Sequence, residues 1–275
     1  MTIATLRDVL QPALEDGYGV AGLVCLGWED ARAYMQAAED EGLPVILQAG
    51  PGARAHMPIP VWGAMLRRLA EEATVPVVLH LDHGRSADEA RAAIEAGFTS
   101  IMYDGSLDPL DKNIEDTARI AELAHRAGLS CEGELGVVGY VEGTPSQGTD
   151  PDDAARFAAE TGIDALAISV GNVHLRTRAA QGLDRARIDA IATRTSLPLV
   201  IHGGSGVPPE DRLRLARETP ISKFNIGTEL RQTFGHALRA RLARDPDIYD
   251  RIAILGGIEP DLRAAARTVL RGLAG

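Results

Sequence analysis

Residues 75–83 read VPVVLHLDH, a short apolar run that closes on an acid and a histidine. Two other runs close on a histidine in the same way: ALAISVGNVH (165–174) and LPLVIH (197–202). Aliphatic and β-branched residues in runs of this length, bounded by Gly and Pro, read as strands buried on both faces. In a closed α/β barrel every strand C-terminus opens onto one face, and catalysis sits on that face. His83, His174 and His202 would then converge from three strands as a zinc-type ligand set with open positions. Asp82, beside the first of them, supplies an acid/base group. One such histidine could simply cap its strand; three at equivalent strand ends point to a metal.

The same alternation extends along the whole chain. Strands are expected near 19–26, 44–49, 76–81, 99–103, 130–135, 164–170, 197–202 and 221–226. Helical patterns lie between and after them, near 29–41, 60–73, 86–96, 110–127, 152–161, 184–195, 208–217 and 228–243. Eight strands with eight following helices predict an α/β fold, a (β/α)₈ TIM barrel. Extra helices at 5–15 and 260–273 flank it. Ser86 with Glu89 three residues on reads as a capping box, and Gly97 and Gly128 are placed to end helices. With no linker or low-complexity segment, residues 1–275 read as one domain. The longest irregular segment, GVVGYVEGTPSQGTDP (136–151), reads as a mobile loop over the catalytic face.

Composition limits the function classes. The chain has 275 residues and a net charge of −11, which argues against a nucleic-acid partner because such binding needs a cationic footprint. An anionic substrate remains open, since a few backbone amides can hold a phosphate. Cys25 and Cys131, both in apolar runs, read as buried free thiols rather than a disulfide. The N-terminus lacks a long apolar segment and no stretch is long enough to span a bilayer, so a cytoplasmic enzyme with no membrane partner is expected. Only two lysines occur, Lys112 and Lys223. Neither is placed for a Schiff-base mechanism, Lys223 because it falls at the start of its strand.

His202-Gly203-Gly204-Ser205-Gly206 follows the seventh strand, and Asn225-Ile226-Gly227-Thr228 follows the eighth and opens a helix. Loops after these two barrel strands commonly hold a phosphate, with glycine amides and a helix N-terminus aimed at the anion. Asp82, Asp104, Glu132 and Glu134 lie at or beyond strand ends. Period two puts Glu132 and Glu134 on one side of their strand. A buried acid needs a partner, which can be a metal or an ion pair. Asp82 and Glu134 are expected at the catalytic face, and Glu132 is read as structural. His80 reads as a satisfied core histidine.

Taken in order, HLDHG (80–84), MYDGS (102–106), CEGELG (131–136), VGNVH (170–174), IHGGSG (201–206) and SKFNIGTEL (222–230) resemble class II, metal-dependent ketose-bisphosphate aldolases, which include fructose- and tagatose-bisphosphate aldolases. The resemblance implies that His83, His174 and His202 bind Zn²⁺ and that Asp82 is the catalytic acid/base. It places Glu134 and Asp104 near a second divalent cation. Glu142 would be the loop glutamate that moves the donor's proton. Gly203, Gly204, Ser205, Asn225, Gly227 and Thr228 would contact the donor phosphate and hydroxyls, with a monovalent cation nearby. It further implies a phosphorylated sugar substrate cleaved to dihydroxyacetone phosphate and an aldehyde, and a homodimer or homotetramer.

The chain departs from the family pattern at five places. Val24 stands where an Asn is usual, Gly50 where a Ser contacts the distal phosphate, and Leu175 where a Gly follows the histidine. The loop reads GYVEG, and the usual DPR-like segment near the C-terminus is missing. These departures bear on fructose 1,6-bisphosphate as the substrate and leave the metal and acid/base set intact. Arg54, His56, Arg176 and Arg178 are candidates to replace the lost phosphate contacts. The alternatives are a family member with another acceptor, such as 6-phospho-5-dehydro-2-deoxygluconate aldolase, or a barrel that binds a phosphosugar without turnover.

Overall fold

The computed structural model of the chain describes residues 2–139, 145–175 and 182–275. Among these, the strands are β1 (Ile3–Ala4), β2 (Val20–Val24), β3 (Val45–Ala49), β4 (Val77–Gly84), β5 (Ser100–Tyr103), β6 (Ser130–Leu135), β7 (Ala165–Ile168), β8 (Leu199–Ile201) and β9 (Ile221–Ile226). The helices are α1 (Leu6–Asp16), α2 (Trp28–Glu41), α3 (Pro51–His56), α4 (Ile59–Glu72), α5 (Ala87–Glu95), α6 (Leu110–Arg126), α7 (Pro151–Thr161), α8 (Arg185–Ala192), α9 (Pro209–Glu218), α10 (Thr228–Arg244), α11 (Arg251–Gly256) and α12 (Glu259–Ala274). Strands β2 to β9 pair in parallel around a closed ring, since β4 pairs with β5 and β2 with β9. This is the eight-stranded TIM barrel. Strand β1 and helices α3 and α11 are additions that the apolar periodicity does not signal, because each is too short to carry one.

Two apolar layers form. One lies between barrel and helices and takes the outward positions of the strands, such as Leu47, Leu79, Ile101, Leu166, Ile201 and Phe224. The other closes the N-terminal end. There Leu6, Val9, Leu10 and Ala13 of α1 pack against the inward Val20, Ile46, Val78, Ala165, Ala167 and Val200. The start of α1 is fixed by Thr5, whose side chain accepts from the Asp8 N–H in a full capping box. Strand β1 pairs with the first residues of β4 beneath β5, so it belongs to this floor.

Above the floor the inward positions turn polar. Gln48, His80, Glu132 and Lys223 are fully buried inside the barrel, with Asp82, Glu134 and Asn225 higher on β4, β6 and β9 and His202 just past the end of β8. Stacked side-chain layers are usual in such barrels, but they are normally branched aliphatics. Here only the floor is apolar, and the layers above it carry charge that must be paired.

At the helix ends, Gly97 and Gly128 adopt positive φ and follow α5 and α6, as expected. Ser86 caps α5 by accepting from the Glu89 N–H. The other half of the capping box does not form. The Glu89 carboxylate instead accepts from the Arg85 N–H and from Arg54. No helix of the described residues is long and apolar enough to cross a membrane.

Candidate active site

Strict alternation would send Asp82 and His83 to opposite faces of β4. The strand avoids this by shifting register between Leu81 and Gly84, with His83 in the left-handed region at φ 51°. A β-branched or bulky residue seldom adopts this conformation, and such bulges re-aim side chains next to active sites. Both side chains therefore enter the mouth of the barrel. The turn is held by Arg54, a buried side chain on α3. Its guanidinium donates to the carbonyls of Ala49 (2.7 Å), Asp82 (2.6 Å) and His83 (3.1 Å) and to the Glu89 carboxylate (3.0 Å). The expectation that Arg54 binds a substrate phosphate is thereby corrected: its Nη donors go to three backbone carbonyls and Glu89, and its Nε is buried.

The three predicted histidines meet. One nitrogen from each of His83, His174 and His202 lies within 4.8 Å of the other two, and His83 Nε2 is 3.0 Å from His202 Nδ1. His83 Nδ1 faces Asp104 Oδ2 at 3.0 Å, and Ser106 in turn donates to the other Asp104 oxygen at 2.6 Å. Glu134 Oε2 lies 3.5 Å from both His83 Nδ1 and His202 Nδ1, buried with no hydrogen-bond partner among the described residues. His83, Asp104 and Glu134 form a second group that could hold a cation. An orphaned carboxylate oxygen beside converging imidazoles is the donor set a divalent metal requires, and three imidazoles with open positions suit zinc.

Protonation follows from these contacts. Burial disfavours the imidazolium of His83, but Asp82, the Asp104 hydrogen bond and Glu134 outweigh it and lift the ring to about 9. Burial, then the charge on His83, lowers His174 to about 4 and holds His202 well below its ordinary value. Burial raises Glu134 to about 8 against the pull of His83. His174 and His202 are thus held in the neutral form that ligates a metal.

Beside the histidines is a cleft of about 220 Å³. It is lined by Val24, Gly50, Asp82, His83, His174, Gly203, Ser205, Asn225, Gly227, Thr228 and Arg231, among others. Asn225 Nδ2 donates to Asp82 Oδ1 at 3.3 Å, leaving Oδ2 on the side of Gly50. Ser205 Oγ accepts from the N–H groups of Gly227 and Glu229 at the start of α10, at 3.3 and 3.4 Å. The turn before it needs glycine at position 203, with φ 64° and Val173 O only 2.4 Å from where a Cβ would stand. Gly204 is buried in the short 3₁₀ turn behind Ser205 and does not line the cleft. Glu142, Arg176 and Arg178 lie outside the described residues.

Comparison with known proteins decides the family. Residues 4–273 match the family described as Fructose-bisphosphate aldolase class-II. The chain belongs to the class II fructose-bisphosphate aldolase family. A fructose-bisphosphate aldolase of Geobacillus stearothermophilus is 38% identical over 263 residues, covering 93% of this chain and 91% of that protein. A probable fructose-bisphosphate aldolase of Bacillus subtilis is also 38% identical, covering 98% and 96%. In solved structures, the YdjI aldolase of Escherichia coli K12 superposes with a TM-score of 0.85 at 29% identity, covering 98% of this chain and 97% of that one. The chain is accordingly a lyase that works by a metal-dependent aldol reaction.

Three residues of this aldolase site were missed or misplaced by sequence reasoning: Lys223, Arg231 and Arg54. Lys223 does not lie at the closed start of its strand. It is the third residue of β9, shares the inward parity of Asn225, and sits fully buried in the barrel with Nζ 2.6 Å from Glu132 Oε2. It is closed to a Schiff base. Glu132 also accepts from His202 Nε2 at 2.9 Å. Arg231 lines the cleft and makes no side-chain hydrogen bond or ion pair among the described residues. It has no signal in the sequence beyond lying one helical turn past Gly227. Arg54 was assigned to the wrong partner. Replacing it, as Arg54→Met, leaves three buried carbonyls without a charged donor and should destabilise the protein by roughly 1.5–3 kcal/mol. Denaturant unfolding and an aldol-cleavage assay check this. We expect activity to fall at least tenfold in folded protein, whereas wild-type activity in the variant would show that the Asp82–His83 turn stands without the clamp.

Proposed function

We propose that this aldolase, as one catalytic domain over residues 1–275, cleaves a ketose phosphate to dihydroxyacetone phosphate and an aldehyde, with His83, His174 and His202 as zinc ligands. The observation that carries the reading is the convergence of three imidazole nitrogens within 4.8 Å beside Asp82 and the N-terminus of α10. A divalent metal bound there supplies carbonyl polarisation and charge stabilisation during C–C cleavage. The chain's own groups do the rest. Asp82 takes the hydroxyl proton in cleavage, through the Oδ2 left open by Asn225, and returns it in condensation. Ser205, Gly203, Gly227 and Thr228, which line the cleft, hold the donor phosphate where the helix N-terminus favours an anion, with Gly204 shaping the turn behind them. That remote binding energy orients the reacting half of the substrate. Glu142 is assigned the proton at the donor carbon. Asp104 and Glu134 are assigned to a second divalent cation, and a monovalent cation to the phosphate loop. We place the enzyme in the cytoplasm as a homodimer or homotetramer.

The acceptor side differs from a fructose 1,6-bisphosphate site. Val24 and Gly50 line the cleft without offering a donor. A Cβ at position 50 would stand 3.2 Å from Asp82 Oδ2, so a side chain there would press on the base. Arg231 lies on this side and also lines an adjoining cavity of about 320 Å³ whose walls carry Tyr34, Phe234 and Leu255 together with Glu29, Asp30, His56 and Arg251. This supports an acceptor recognised by a guanidinium and apolar walls rather than by a serine hydroxyl.

Exhaustive chelation is expected to abolish turnover, with Zn²⁺ or Co²⁺ restoring it, and borohydride with substrate is expected to leave the enzyme active. Asp82→Ala should retain metal and lose cleavage by roughly 10²–10⁴-fold. Full activity in metal-free protein, or in Asp82→Ala, would refute the assignment and favour a different chemistry.

Steady-state rates on fructose 1,6-bisphosphate, tagatose 1,6-bisphosphate and ketose 1-phosphates with other distal groups test the acceptor. We expect fructose 1,6-bisphosphate to be a poor substrate, by about one to two decades in kcat/KM for each lost phosphate donor. The highest kcat/KM on fructose 1,6-bisphosphate would contradict this and make the chain a glycolytic-type aldolase.

A further inference from the structure

Beneath the histidines runs a chain of fully buried polar groups that the aldol chemistry does not use. His80 Nδ1 pairs with Ser100 Oγ at 2.8 Å, and His80 Nε2 faces Lys223 Nζ at 3.2 Å. Lys223 Nζ donates to Glu132 Oε2 at 2.6 Å, and Glu132 Oε1 lies 2.9 Å from His202 Nε2. Lys223, Glu132, His80 and His202 are all without solvent exposure.

The position of each proton follows. An ammonium has only donors, so His80 Nε2 must be an acceptor and its Nδ1 carries the proton toward Ser100. A carboxylate has only acceptors, and of the two near this ring only Glu132 is hydrogen-bonded, at 2.9 Å from Nε2 against 3.5 Å between Glu134 and Nδ1; the proton of the neutral ring therefore sits on Nε2 and Nδ1 is left with a lone pair. That nitrogen is the one 3.0 Å from His83 Nε2.

We infer that Glu132, locked by Lys223, is a positioning residue: it fixes His202 as the Nε2–H tautomer, so that Nδ1 is the nitrogen offered to the metal. The inference rests on the ligand set proposed above. A carboxylate behind a ligating imidazole fixes ring orientation and raises ligand basicity. Lys223 pairs with that carboxylate at 2.6 Å where water cannot reach it. The buried pair is costly to keep as a mere strut, since apolar residues of similar volume hold a core as well or better. Its use lies in delivering a negative charge to one imidazole. Asp104 does the same for His83 from the other side, so two of the three ligands are each set by one acid.

The first test uses the wild-type protein with its zinc. Nitrogen-15 spectra of the histidine rings should show zinc on His202 Nδ1 and a proton on its Nε2. Zinc on Nε2 would overturn the inference. No zinc-induced change at His83, His174 or His202 would overturn the ligand set itself, which is a separate failure.

The second test is the double variant Glu132→Gln/Lys223→Met, which removes both charges together. Its zinc dissociation constant, by competition with a chromophoric chelator, should rise roughly 10–100-fold. The visible absorption of its Co²⁺ form should shift, and metal-free thermal midpoints should stay close to wild type. A wild-type dissociation constant with an unchanged Co²⁺ spectrum would show that the pair is only structural.

Discussion

Two imidazole nitrogens, His83 Nε2 and His202 Nδ1, are held 3.0 Å apart at the mouth of the barrel. Two lone pairs cannot face each other at that distance, so a proton or a metal must lie between them. Much of the surrounding structure keeps this unfavourable approach in place. Arg54 fixes the left-handed turn at His83 through three carbonyls. Asp104 holds the far nitrogen of His83, and Glu132 the far nitrogen of His202. Asp82, Asp104 and Glu134 lift the His83 ring to about 9 against its burial, and the same cluster of acids is the charge a metal would balance.

The vertical order of the barrel follows from this demand. An apolar floor built by α1 closes the N-terminal end, where no chemistry is needed. The middle layer pairs Lys223 with Glu132, so charge is present but balanced. The mouth gathers His83, Asp82, Glu134, Asp104 and His202, where an acidic excess awaits cations. A polar layer in a barrel core costs desolvation that apolar residues would avoid. The cost makes sense when the layer orients ligands above it. The donor side of the cleft is then lined by the glycine turn at Gly203, by Ser205, and by Gly227 and Thr228 at the start of α10.

Much of this was legible in the sequence. Strands buried on both faces are apolar runs, and eight of them with helices between admit few closures. The three histidines were recognisable because each ends such a run, and Glu132 and Glu134 because period two puts them on one side. Other features depend on long-range geometry. Asp82 and His83 are neighbours, and alternation alone would separate them; only the register shift against β5 turns both inward. Lys223 looks peripheral near the start of its strand, yet its long side chain reaches Glu132 at mid-barrel. Arg54 looks like a phosphate ligand until its three carbonyl partners, two of them from β4, are seen. Glu142 was named from its loop motif and lies outside the described residues.

The central claim is that one metal ion sits between His83, His174 and His202 at the C-terminal mouth of the barrel. Anomalous diffraction from crystals of the zinc-loaded protein, collected on both sides of the zinc absorption edge, tests it most directly. The account predicts a single strong zinc peak within bonding distance of His83 Nε2, His202 Nδ1 and a His174 ring nitrogen. A zinc peak elsewhere, with these three rings still hydrogen-bonded only to one another and to the neighbouring acids, would contradict it.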